Sequence, residues 1–338
     1  MKSIFKIVYI VFCIVFTFVS LCSCNAKTGF NENAVKISVA VPQSPSSYPL
    51  MYMIKNNSMQ DFAVETQLIP YSSNDELNQM AVSNQVHFMI APITEAIKIY
   101  NKGVNVRLLG VTLWGAPYVI SSDKFLNDIQ DLRDKEIAVS KEGCLPDLIL
   151  RHILIGNGLN PDINLKITYM NEADISNKLS AGEILYSVSD VNDSASILTY
   201  TNYYYFRKDG FDIKKRLSLE EYWYKLTGKP GKKIPIEALI AVGDTIENEE
   251  MVMEFLNKFR EGTKWINSNT SEMKHIAIEY FPEYEEQEIF ESLEYANLKF
   301  VSPKESKKDI EEFFNELLKT TSIDIINAKL PDDNFYYK

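Results

Sequence analysis

Three loops and one cysteine carry the residue types in this chain that could bind or react. Ser44-Pro45-Ser46-Ser47-Tyr48 follows an alternating apolar segment and opens a helical one. Ser46, Ser47 and Tyr48 thereby stand at a helix start, where N–H groups lack intrahelical partners and the dipole end is positive, a setting for anionic or polar ligand groups. A simple capped turn explains the same hydroxyls equally well. Ala91-Pro92-Ile93-Thr94 repeats the arrangement after another apolar segment, making Pro92 and Thr94 candidates, although Thr94 also fits a helix surface. In Glu142-Gly143-Cys144-Leu145-Pro146, Gly143 permits close backbone approach and Pro146 suits a first helical turn, which makes Gly143 and Cys144 candidates. Trp114, in Trp114-Gly115-Ala116-Pro117-Tyr118, either stacks on a ring or packs a joint. Asp190 and Asn192 could accept hydrogen bonds from an amine, and a turn-forming Asp is the plainer reading.

None of this adds up to a catalytic constellation. His152 lies two helical turns from Cys144, yet a small buried residue near a helix start accounts for Cys144 better than a nucleophile does. The chain has no phosphate-binding glycine loop and no Gly-x-Ser-x-Gly elbow. His87, His152 and His275 are far apart, and no His, Cys and carboxylate cluster has ligand spacing, so neither a metal nor a cofactor is expected. Residues that can hold a molecule without activating it point to binding rather than turnover.

The elements that must position these loops follow from periodicity. Residues 35–41 alternate as a strand, 48–55 read as a short buried helix, and 64–69 as a second strand stopped by Pro70. Ser73 and Glu76 form a capping box before Leu77, Met80 and Ala81. Strand 88–92, helix 93–101 and strand 106–111 follow. A second set has extended or strand segments at 117–121, 136–140, 165–169 and 186–189. Its helices run over 146–155 and from Asn171 to about Ala181, with another reading of helix over the aromatic-rich 194–206. After a helix capped by Ser218, Thr227-Gly228-Lys229-Pro230-Gly231-Lys232-Lys233 is the sharpest break. Beyond it come a strand at 236–242 and a long amphipathic helix at 247–266, with Met251, Phe255, Phe259 and Trp265 on one stripe. Helices at 272–280, 284–293 and 307–320 and a strand at 298–301 complete the chain. This alternation predicts an α/β fold with mostly parallel sheet.

The N-terminus is organised differently. Lys2 and Lys6 precede Ile7 to Leu21, an apolar run of about 15 residues, short of the ~20 that span a bilayer. Leu21-Cys22-Ser23-Cys24 then resembles the lipobox of bacterial lipoproteins. The resemblance implies removal of residues 1–23 and a lipid on Cys24, with residues 24–34 as a flexible tether. An uncleaved transmembrane anchor is the other reading, and both put the body outside the cytoplasm. Removing the leader takes the formal charge from −11 to −13, a surface that repels nucleic acid. Cys144 would remain as the one cysteine of the body apart from Cys24, leaving no disulfide within it. With 46% apolar residues a large core must hold the fold instead.

In order along the chain, four segments are similar to solute-binding proteins of ABC importers, in the branch of sulfonate, nitrate and thiamine-pyrimidine binding proteins. They are Ile37 to Pro42, Ser83 to Pro92, Asp131-Leu132-Arg133-Asp134-Lys135-Glu136-Ile137-Ala138-Val139 and Glu249 to Leu256. Asp134 stands where the family pattern has Gly, and Ala91-Pro92 where it has a small pair such as Gly-Asp. The tail from Lys329 to Tyr337 also looks like theirs. The resemblance implies a two-lobe periplasmic binding protein fold (type II) with the ligand cleft between lobes. Lobe one would hold residues 35–118 and 236–338, lobe two 119–235, with crossings near Tyr118–Ser122 and Ile234–Ala238. The implied partners are a small-molecule solute, an ABC permease with its ATPase, and the membrane through Cys24, with the chain a monomer. A ligand-sensing lipoprotein and a pyrimidine-synthase-like enzyme of the same fold are the alternatives. The second lacks the cysteine-rich motif of those enzymes.

Overall fold

The computed structural model describes residues 35–115, 117–189, 214–229, 234–282, 286–327 and 329–338. The readings made for the leader, the tether, Cys24, Asp190, Asn192 and the helix at 194–206 lie outside these residues. The strands are β1 (Val35–Val41), β2 (Ala63–Pro70), β3 (Phe88–Pro92), β4 (Val106–Trp114), β5 (Tyr118–Ser121) and β6 (Glu136–Val139). They continue with β7 (Lys166–Tyr169), β8 (Tyr186–Ser189), β9 (Lys214–Ser218), β10 (Pro235–Val242) and β11 (Leu298–Val301). The helices are α1 (Tyr48–Lys55), α2 (Asn74–Val82), α3 (Ile93–Asn101), α4 (Leu145–Gly156) and α5 (Glu172–Ala181). They end with α6 (Leu219–Thr227), α7 (Glu249–Ser268), α8 (Thr270–Tyr280), α9 (Glu286–Tyr295) and α10 (Pro303–Leu317).

Two sheets result. One has the order β11-β4-β10-β3-β1-β2, the other β7-β6-β8-β5-β9. Both are mixed rather than mostly parallel. β1 pairs in parallel with β2 and β3, but β10 lies antiparallel between β3 and β4, and β11 antiparallel on β4. The reason is the route of the chain. It leaves the first sheet at the end of β4 and returns at that same edge, so the returning strand must run the opposite way. Gly115 N–H donates to Ile234 O at 2.9 Å, and Pro235 pairs with Trp114, so departure and return run side by side. Departure and return thus lie near the two expected crossings, where Tyr118–Ser121 and Pro235–Val242 form strands.

Alternation, interrupted by register shifts along β4, divides the first sheet between two cores. Ile37, Val39, Val41, Phe88, Ile90, Leu109, Leu239 and Ala241 pack with α7 residues Met251, Val252, Phe255, Leu256 and Phe259. Ala40, Met89, Ala91, Leu108, Val111, Ala238 and Ile240 face the other way, toward α2, α3 and α10. Gly262 lets α7 approach α1, since a Cβ there would lie 2.9 Å from Pro49 O. The caps act locally. Ser73 accepts from Glu76 N, but the Glu76 carboxylate reaches Ser72 N rather than Ser73 N, so only half of the expected box forms. Ser302 and Glu305 do close a box, and with Pro303 in the first turn they start α10 four residues before Lys307.

α10 packs against α4, from the other sheet's side. His152 Nδ1 lies 2.8 Å from Thr320 Oγ1, and its ring is 4.8 Å from that of Trp223, which in turn is 5.1 Å from Phe313. Burial pushes the His152 imidazole below its ordinary 6.5, against a smaller opposing pull from Glu316, whose carboxylate is 3.6 Å from Nε2. His152 is therefore neutral at pH 7, and the approach to Glu316 is not an ion pair there. The unfolded chain takes up this proton at a higher pH than the folded one, so stability contributed here is present above 6.5 and falls as pH drops below it. We expect the melting temperature to decrease from pH 7 to pH 5, less steeply in His152→Asn, which keeps a donor for Thr320 without the titration. Half-buried His87, also lowered by desolvation, acts in the same direction and remains in both proteins.

Candidate functional site

One edge of the first sheet gathers two of the three sequence-predicted loops. β1, β2, β3 and β4 all run toward it, and β10 starts from it. The segment after β1 turns through a short 3-10 helix at Pro45–Ser47 into α1, and Ser44, Ser46 and Ser47 are fully buried there. Ser47 Oγ donates to Pro42 O at 2.5 Å, which fixes the turn. Ser44 Oγ donates to Glu237 Oε2 at 3.0 Å, Ser46 Oγ donates to the same oxygen, and the two hydroxyls are 2.7 Å apart. Glu237 sits in β10 opposite Pro92 and Leu113, only 1% exposed, and its backbone carbonyl accepts from Thr112 Oγ1 at 3.2 Å. A carboxylate removed from water this far must be held by donors, and the two serines are such donors.

The second sheet presents a matching edge. β6, β7 and β8 are parallel, and β5 runs against β8 so that Tyr118 pairs with Ser189 and also with Ser218. Tyr118 begins three residues beyond Gly115, so the carboxyl ends of the parallel strands of both sheets lie where the chain crosses between them. Burial, followed by Glu220, pushes the Tyr118 phenol up. Gly143, after β6, has φ +70, and a Cβ there would meet nothing within 4 Å, so open space borders it. Its N–H is held by Asp147 Oδ2 at 2.9 Å. Asp147, 1% exposed, also accepts from Arg151 Nε at 3.1 Å and from the Tyr169 hydroxyl at 3.1 Å. This network anchors the loop rather than the ligand.

The predicted residues therefore separate. Ser46, Ser47, Pro92 and Thr94 share the first edge, and Thr94 is 6% exposed, as a packed helix residue is. Tyr48 points into the core, with its hydroxyl 3.1 Å from Ser292 Oγ and its ring 6.3 Å from that of Phe281. Trp114 is 4% exposed and donates Nε1–H to Lys299 O at 3.0 Å, which packs the joint between sheets. Gly143 and Cys144 belong to the second sheet's edge. Cys144 is half-buried, with Sγ 3.8 Å from Ser140 Oγ, and the His152 ring is engaged with Thr320 and Trp223. Glu237 and Thr112 were missed, and Ser44 was read only as part of its loop. Glu237 has a signal: it is the single charge in Pro235-Ile236-Glu237-Ala238-Leu239-Ile240-Ala241-Val242, a strand buried throughout.

Among the described residues, no group of three or more His, Cys, Asp or Glu could hold a metal ion, and no helix is long and apolar enough to cross a membrane. What the edge offers is hydroxyls, one carboxylate and backbone groups around a crossing, an arrangement for holding a molecule.

No protein-family model matches the chain, and no curated protein matches it. Solved structures do. An ABC transporter protein from Parabacteroides distasonis is similar with a TM-score of 0.72 and 18% identity, over 89% of this chain and 98% of that one. The ligand-binding component of an ABC-type import system from Staphylococcus aureus, solved with zinc bound, gives 0.66 and 12% identity, over 89% and 96%. The periplasmic aliphatic sulphonate binding protein SsuA from Escherichia coli gives 0.64 and 12% identity, over 86% and 95%. At such identities the likeness establishes the architecture: this chain has the two-lobe α/β fold of periplasmic binding proteins, with its cleft between the lobes.

Proposed function

We propose that this chain is the extracytoplasmic substrate-binding lipoprotein of an ABC importer, capturing a small organic solute between its lobes and delivering it unchanged to the permease and its ATPase. In this reading residues 1–23 are removed, Cys24 carries the lipid, and residues 24–34 tether a monomeric body whose lobes divide at 118–119 and 235–236. The observation that carries the proposal is the meeting of Ser44, Ser46 and Glu237 at the carboxyl edge of the first sheet, beside the passages between lobes. Strand ends at such an edge are where open α/β sheets bind ligands. The similarity to import-system binding proteins supports the same reading.

The chemistry of the edge narrows the solute. Glu237 brings acceptor oxygens and the serine hydroxyls are turned toward it, so a ligand that offers N–H donors suits the site better than a small bare anion. A heteroaromatic or neutral polar metabolite with such groups fits. Sulphonate binding is a property of the E. coli protein.

Thermal shift of the full chain in mild detergent, against vitamins, pyrimidines, sulphonates and amino acids, tests this. A solute at 100 times its Kd stabilises by about 2.7 kcal/mol, a rise of several degrees. Turnover of any of these compounds, with none raising the melting point, would refute capture. For the anchor, Cys24→Ala is expected to block processing and lipid attachment, read by mass spectrometry of the N-terminus.

A further inference from the structure

We infer a second binding site, for a small polyphosphate-bearing molecule, in the groove between α7, the edge strand β11 and the start of α10. The groove has a volume of ≈ 830 Å³, the size of a small-molecule site. Its lining includes Arg260, Lys264, Lys299 and Lys304 against one carboxylate, Glu305. Arg260 and Lys264 are one turn apart on the same side of α7, Lys299 lies in β11, and Lys304 is in the first turn of α10.

Three observations set this cluster apart from ordinary surface charge. First, the chain as a whole carries −11, yet four cations meet here. Second, among the described residues no carboxylate forms an ion pair with any of the four. Lys258, two residues before Arg260, shows the usual surface pattern by pairing with Glu254 and Glu261. Third, Glu305 is already engaged: its carboxylate accepts from Ser302 Oγ at 2.6 Å and from Ser302 N at 3.3 Å in the cap of α10. Those hydrogen bonds, with Arg260 and Lys299 adding to them, hold it below the usual carboxylate range, so the cations' field is felt inside the groove.

The geometry favours phosphate oxygens. The Arg260 guanidinium lies 4.9 Å over the Phe300 ring, which fixes its plane while N–H groups remain to meet an oxyanion. A planar fork, mobile ammonium groups and the positive end of a 15-residue helix together suit a multiply charged, tetrahedral-oxyanion ligand. The concave shape separates this from docking on a flat bilayer. The inference is independent of the cleft and of what the cleft holds.

Calorimetric titration of the full chain with inorganic tripolyphosphate, at fixed ionic strength, tests it. Saturable binding of one equivalent is expected, weakened about tenfold or more in Arg260→Ser/Lys299→Ser and also in Lys264→Ser/Lys304→Ser, which alters only exposed side chains. Lys102→Ser/Lys329→Ser, exposed cations elsewhere, is expected to bind as the parent does. Each variant's melting curve without ligand establishes that it is folded. Absence of saturable binding overturns the inference. So does an affinity equal to the parent's in either groove variant, or binding to phosphatidylglycerol vesicles that tripolyphosphate does not displace.

Discussion

Replacing Arg151 by Met is expected to destabilise the chain by about 3 kcal/mol, because it strands a buried charge. Asp147 is 1% exposed, and Arg151 is its cationic partner. Arg151 also binds Asp162 through Nη1 at 2.9 Å and the Tyr169 hydroxyl through Nη2 at 2.8 Å, so one side chain ties α4 to β7 and to the segment before it. Methionine keeps much of the volume and removes the charge. Gly143 N–H and the Tyr169 hydroxyl still point at Asp147 afterwards, and neither replaces a cation. Urea titration measures the loss. A change under about 0.5 kcal/mol, the range of ordinary surface substitutions, would mean that water reaches Asp147 and that the Gly143 loop is not held as described.

Phe255→Ala is expected to cost about 3–5 kcal/mol, the range for emptying an aromatic site in a close-packed core. Phe255 is fully buried in α7, and its ring lies 3.8 Å from that of Phe88 in β3, tilted by only 9°. The pair clamps the long helix to the start of β3, four residues along the strand from Pro92 at the candidate site's edge. Met253, two residues away on the same helix, is 46% exposed, and Met253→Ala is expected to fall within about 0.5 kcal/mol of the parent. Equal losses in the two variants would contradict the assignment of the α7 faces.

Most of the fold is readable from local sequence, because local forces set it. α1, β3, α3, β8 and β11 occupy the spans that periodicity and breakers indicate. The failures lie where local pattern is silent. β9 was not expected because Lys214-Lys215-Arg216-Leu217-Ser218 shows no apolar alternation, and a strand at a sheet edge needs none. The antiparallel entry of β10 depends on where the chain leaves β4, more than a hundred residues earlier, and no property of Pro235–Val242 records it.

The candidate site divides along the same line. The loop after β1 was visible as hydroxyls at a helix start. Its partner Glu237 is 193 residues from Ser44, and only the folded sheet brings the carboxylate to the serines. Tyr48 was chosen for its place at a helix start and Trp114 for its ring, and both rings are packed away, with Ser292 and Lys299 O satisfying their polar tips. Residue type alone does not separate an aromatic wall from an aromatic core.

The central claim is that a molecule is gripped at the Ser44, Ser46 and Glu237 edge and released unchanged. Its most direct measurement is a calorimetric titration of the full chain and of Glu237→Gln with the solute that raises the melting point, followed by chemical analysis of what is released. One solute per chain, recovered intact, with affinity lowered by about 30-fold or more in the variant, is the expected result. Equal affinity in the two proteins, or recovery of a converted product, would contradict it.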